Sequence, residues 1–145
     1  MALLAAPATG LAQGRPTTAA HTTDSAAVHA TVEAWWAAWA TADTAAVDSL
    51  HTDDYAEFSE GSRRYRYGRT AMRDGALRYF ARRDRFEWRL SDVRVQLADA
   101  VAVVTYQYEE RRGSAISRGA STDVLRRVGG RWRYWAHHAT TFPAR

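Results

Sequence analysis

The stretch Asp24 to Asp43, DSAAVHATVEAWWAAWATAD, decides how the rest of the chain must be arranged. Its residues Val28, Val32, Trp35, Trp36 and Trp39 fall on one stripe of an α-helix and cannot share one face of a strand. Three indoles therefore point one way. Each can bury on the order of 150–250 Å², so the surface that covers them must come from later in the chain. Thr23 or Asp24 can cap the helix, because a side-chain oxygen there accepts an otherwise unpaired N–H of the first turn.

Working back from the helix, MALLAAPATGLAQG has a short apolar run and a small-x-small Gly10-Leu11-Ala12 pattern like a signal-peptidase site. It lacks a positively charged start and is too short to span a membrane. The polar GRPTTAAHTTDS follows. Residues 1–24 are expected to be a disordered tail or the remnant of an export signal, with a lean to a periplasmic or secreted protein over a cytoplasmic one, and 25–145 a single domain.

Working forward, Asp43 caps a second, short helix through Leu50, and His51 to Asp54, HTDD, is turn chemistry. Tyr55 to Ser59 is a short strand, Glu60-Gly61-Ser62 a turn and Arg63 to Tyr67 a return strand. A third helix from Arg69 to Arg82 carries Met72, Ala76, Tyr79 and Phe80 inward, with Arg73, Asp74, Arg78 and Arg82 facing outward. From Phe86 the period changes to alternation, as in Val93, Val95 and Leu97. Ala98-Asp99 turns into the strand Ala100 to Arg111, Arg112 to Arg118 is a loop, and Gly119 to Val128 is the next strand. Gly129-Gly130 makes a two-residue hairpin into the last strand, Arg131 to Thr140. Helices first and a four-stranded antiparallel meander last predict an α+β domain with its helices on one face of a sheet.

Composition removes several chemistries. The chain has no cysteine, which excludes disulfides, thiolate metal sites and cysteine nucleophiles. All 20 basic residues are arginine, so Schiff-base lysine chemistry is also excluded. Residues 1–62 carry eight acids against Arg15 alone, whereas 63–89 carry ten arginines against Asp74, Asp84 and Glu87. The arginines follow no nucleic-acid signature, so they are read as a solvated or ion-paired face, with neither nucleic acid nor membrane as partner. No phosphate loop or nucleophile elbow is present.

The pattern resembles the NTF2-like superfamily, and within it the SnoaL-like or DUF4440-type small domains. The resemblance covers roughly residues 26–141 and is carried by the Trp39 helix leading to Ala42-Asp43, HTDDY at 51–55 and Gly68-Arg69-Thr70-Ala71-Met72. Leu97 to Ala102 and Gly129-Gly130-Arg131-Trp132-Arg133-Tyr134 running to His137-His138 complete it. It implies a cone, in which a strongly bent, mostly antiparallel sheet holds the N-terminal helices in its concave face and a pocket opens at the wide end. It also implies a homodimer through the outer face of the sheet. Superfamily members include ketosteroid isomerases, polyketide cyclases and dehydratases, so the fold alone assigns no reaction.

Within such a cone, Trp35, Trp39, Tyr55, Phe58, Tyr67, Met72, Phe80, Tyr106, Tyr108 and His138 are expected to surround the ligand, a lining suited to a flat or apolar organic molecule. His138, which resembles a histidine often found near the end of this strand in related domains, is the first acid/base candidate, followed by Glu57 and Asp54. The competing reading of the two carboxylates is that Asp54 caps a turn and Glu57 pairs with an arginine. Arg63, Arg64, Arg66 and Arg69 near the rim could attract an anionic ligand. No metal and no cofactor is expected: adjacent His137 and His138 on a strand point to opposite faces, and His21, His29 and His51 have no ligand spacing.

The expected function is binding of a small, largely apolar or aromatic molecule, with no reaction assigned. The alternatives are a cofactor-independent isomerase, cyclase or dehydratase and a non-catalytic dimerisation module. An open cavity with two or more facing polar groups favours catalysis, an apolar one favours binding, and a filled cone favours assembly.

Overall fold

The tryptophan-bearing segment forms α1, Thr18–Thr41, in a computed structural model that describes residues 18–59, 65–82 and 85–143. Of the 1–24 segment expected as a tail or export remnant, Thr18 to Asp24 are helical, and residues 1–17, the 60–62 turn, Arg63 and Arg64 lie outside the described residues. The helix begins ahead of the expected Thr23/Asp24 cap. Asp24 is instead paired with Arg127 of the sheet, so its charge docks the first turns rather than ending them. Val28 and Val32 are fully buried, and Trp35 and Trp36 nearly so. At the other end Ala42 adopts a left-handed φ of 60° and Asp43 N donates to Ala38 O at 2.9 Å, a Schellman-type stop. Asp43 at once caps α2, Thr44–Ser49, by accepting from Ala46 N at 2.9 Å.

Six strands follow or interleave: β1 His51–Ser59, β2 Arg66–Tyr67, then after α3 (Arg69–Phe80) β3 Glu87–Ala98, β4 Val101–Arg112, β5 Ala115–Val128 and β6 Arg131–Thr141. Their spatial order is β2-β1-β6-β5-β4-β3. The four long strands form the antiparallel meander, and β1 joins its β6 edge in parallel. The domain is α+β. The sheet curls around α1: Trp36 meets the rings of Trp88 on β3 and Tyr108 on β4, while Trp35 stacks on Tyr134 of β6.

Two loops expected from the sequence are strand. HTDD opens β1 because His51 and Thr52 are buried, and Tyr134 N donates to Leu50 O at 2.8 Å, which ties the entry to β6. In 112–118 the pairs Arg111↔Ile116 and Arg112↔Ala115 leave only Gly113-Ser114 as a turn. Its only apolar residues, Ala115 and Ile116, are adjacent, so no hydrophobic alternation marks the segment.

One irregularity controls the site. In β6 Tyr134 pairs with Leu125 but Ala136 pairs with Val124, so Trp135 is the extra residue of a β-bulge. Trp132 and Tyr134 face the core before it; beyond it the buried residue is His137. A bulge reverses which parity of the strand faces inward.

Candidate functional site

The bulge places three ionisable groups in one row across the sheet. Glu57 of β1 pairs in register with His137 of β6, which pairs with Asp123 of β5. All three are buried. Asp123 is fully buried and accepts three contacts: His137 Nδ1 at 2.8 Å and Ser121 Oγ at 2.7 Å on Oδ1, and the Tyr106 hydroxyl at 2.8 Å on Oδ2. Trp36 Nε1 in turn donates to the Tyr106 oxygen at 3.0 Å. A carboxylate this deep is tolerated only with such a complete set of partners. Burial by itself would hold His137 neutral, but the charge and hydrogen bond of Asp123, with the charge of Glu57 added, outweigh it and raise its pKa. Burial, with the Asp123 charge next, raises the Tyr106 pKa, which keeps that hydroxyl a donor.

A second histidine behaves oppositely. His51 Nε2 accepts from Trp35 Nε1 at 3.1 Å and its Nδ1 donates to Val47 O. Burial lowers its pKa to about 4, so it is a neutral structural residue.

Between α1, α3 and the sheet lies a cavity of about 470 Å³, within the range of pockets that hold drug-sized ligands. Trp35, Trp36 and Trp39 form one wall, Phe86 and Tyr108 another, and His137 and the Glu57–Arg66 ion pair the polar floor. Arg66 reaches that floor by crossing α3 at Gly75, where a Cβ would lie 2.6 Å from its Nη1. Arg78, Tyr79 and Arg82 complete the helix side. Among the described residues no three His, Asp or Glu side chains are placed so that they could hold one metal ion.

Of the residues expected around the ligand, Trp35, Trp39 and Tyr108 line the cavity. Tyr55, Met72 and Tyr106 are buried in the packed core, and Phe80 sits against Trp39 at 5.1 Å. Phe58 and His138 face each other away from the cavity at 5.6 Å, and Tyr67 is 69% exposed. The parity reversal at Trp135 is what gives the cavity to His137 and solvent to His138. Asp54 is outside as well, bound to Arg126 at 2.8 Å and to Trp135 Nε1 at 3.1 Å. Glu57 is on the floor and paired with an arginine, as its competing reading had it. Arg69 is spent on Asp53 at 3.2 Å, and the arginines at the cavity are Arg66, Arg78 and Arg82, the last two of which were expected to face outward. Asp123 was missed. Its signal was a carboxylate in alternation with inward Leu125, in the run Ser121-Thr122-Asp123-Val124-Leu125.

A family profile of the SnoaL-like domain matches residues 28–145. The chain belongs to the SnoaL-like family. Among solved structures, this SnoaL-like chain is similar to a candidate dehydratase of the NTF2-like family from Streptomyces avermitilis, with a TM-score of 0.77 at 22% identity over 86% of this chain and 99% of that one. A candidate scytalone dehydratase from Novosphingobium aromaticivorans aligns with a TM-score of 0.75 at 13% identity, over 88% of this chain and 89% of that one. A ketosteroid isomerase-like protein from Erwinia carotovora atroseptica aligns with a TM-score of 0.66 at 21% identity, over 82% and 96%. At these identities the likeness is one of fold. No protein of curated function matches the chain.

Proposed function

We propose that this SnoaL-like protein binds a small planar organic molecule between α1 and the sheet and moves a proton on it without a cofactor, with His137 as the base. The observation that carries the reading is the buried Asp123–His137 pair at the floor of an aromatic cavity. Asp123 accepts from Nδ1–H, which fixes the tautomer and leaves the lone pair on Nε2. Nε2 takes a proton from a carbon next to a carbonyl; the C–H electrons move into the carbonyl as an enolate, and the charge of Arg66 on the same floor favours that oxyanion. The imidazolium then returns the proton, either to another carbon of the conjugated system, an isomerisation, or to a β-hydroxyl that leaves as water, a dehydration. The structural relatives described as a candidate dehydratase and as ketosteroid isomerase-like fall in the same reaction class.

The test is deuterium exchange from D2O into the α-carbon of β-tetralone and of a β-hydroxy aryl ketone, followed by proton NMR. The protein is expected to accelerate exchange over buffer, and His137→Gln to remove about 100-fold or more of that rate, with His138→Gln unchanged. A wild-type rate equal to buffer on both probes, or an unchanged rate in His137→Gln, overturns the proposal.

A further inference from the structure

We infer that the cavity is built for an organic carboxylate, with Arg78 and Arg82 as the subsite for its anionic end. This rests on the ligand-binding part of the reading above and adds a substrate class to it. The charges on the cavity wall do not balance. Glu57 is matched by Arg66, and Glu110 by Arg112, whose Nε lies 2.6 Å from its Oε1. Arg78 and Arg82 also line the cavity, and among the described residues neither has a carboxylate within ion-pair distance. They stand four residues apart, Arg78 in the last turn of α3 and Arg82 just past its end, a spacing at which like charges repel. Arg82 Nε donates to Arg78 O at 3.0 Å, which ties its guanidinium to the end of the helix.

A helix C-terminus favours arginine in general, but the dipole does not require two guanidinium groups on a cavity wall. A carboxylate there relieves their repulsion and accepts from their forked N–H groups. Both arginines are solvent-exposed, which puts the subsite at the mouth, where a carboxylate keeps part of its hydration. The apolar body of the ligand then lies along the tryptophan wall, with its reacting carbon toward His137. The fitting ligand is a planar aromatic or polycyclic carboxylate, charged at one end and carrying its carbonyl chemistry at the other.

The test titrates the indole N–H resonances of the protein with two probes of the same shape, β-naphthoate and uncharged β-naphthol, at neutral pH. β-Naphthoate is expected to bind about tenfold tighter or better. That advantage should shrink when salt is raised to about 1 M, where the screening length falls to about 3 Å. The double variant Arg78→Gln/Arg82→Gln should abolish the advantage, bringing β-naphthoate down to the affinity of β-naphthol, whereas Arg73→Gln, on the same helix but outside the cavity lining, should keep it. Equal affinities for the two probes in the wild type, or undiminished β-naphthoate affinity in the double variant, overturn the subsite while β-naphthol binding keeps the cavity reading alive. If neither probe shifts the indoles, both fall.

Discussion

His137 and His51 share one core, and their pKa values shift in opposite directions: burial disfavours the charged form of both, the Asp123 carboxylate overrides it at His137, and the bond to Val47 O does not offset it at His51. For His51 the folded pKa, about 4, lies below the ordinary 6.5. Its contribution to stability is therefore complete above pH 6.5 and is lost as pH falls from 6.5 toward 4. At 1.36 kcal/mol per pH unit that gap is worth on the order of 3 kcal/mol. Urea midpoints should drop over this window in the wild type, and His51→Gln, less stable overall, should show a flatter acid limb. An identical limb in both would refute the assignment. His137 has the reverse sign: its raised pKa stabilises the fold below the ordinary value, and that contribution fades as pH rises through the folded pKa.

The same carboxylate sets the pH dependence proposed for catalysis. If neutral His137 is the base, the rate rises as the imidazolium loses its proton, on the alkaline side of the ordinary histidine value. Asp123→Asn removes the main charge holding that proton. The rising limb should move to lower pH while the plateau rate falls about tenfold or more. A profile that keeps its midpoint in the variant would place the proton transfer elsewhere.

Among the elements, α3 is the one whose sequence makes sense only against its neighbours. A glycine inside a helix costs roughly 1 kcal/mol relative to alanine, and Gly75 accepts that cost because Arg66 crosses the helix there. Gly75→Ala should therefore give helix propensity back while pushing Arg66 off Glu57. The expected result is a melting temperature that fails to rise, together with weaker exchange activity as the floor loses its ordered cation. A more stable, fully active variant would show that Arg66 relocates at no cost. In β6 the bulge at Trp135 plays the comparable part, since it aims His137 inward at the same level as Asp123.

For the whole molecule, the proposal is a homodimer through the convex face of the sheet. That face presents Trp135 at 37% exposure beside Arg126, whose guanidinium lies 4.9 Å from the ring centre. Light scattering at micromolar concentration should return a mass of about 32 kDa, twice the chain's 16.2 kDa. A monomer at that concentration would overturn it. No described helix is long and apolar enough to cross a membrane.

The fold was legible because periodicity is a local property. The indole stripe of α1, the alternation through β3 to β5 and the Gly129-Gly130 turn, whose φ angles are 57° and 76°, each follow from residues near one another in the chain. The site was not, because its residues are chosen by parity and reach. Counting along β6 from Trp132 and Tyr134 puts His138 inside; one extra residue opposite β5 reverses the count and puts His137 beside Asp123. Arg78 and Arg82 look like solvent-facing charge until α3 is laid against α1 with a gap between them. The sequence by itself determined which segments bury an apolar face. Only the packed sheet, through a bulge and a cross-strand register, decided which polar groups share the space that remains.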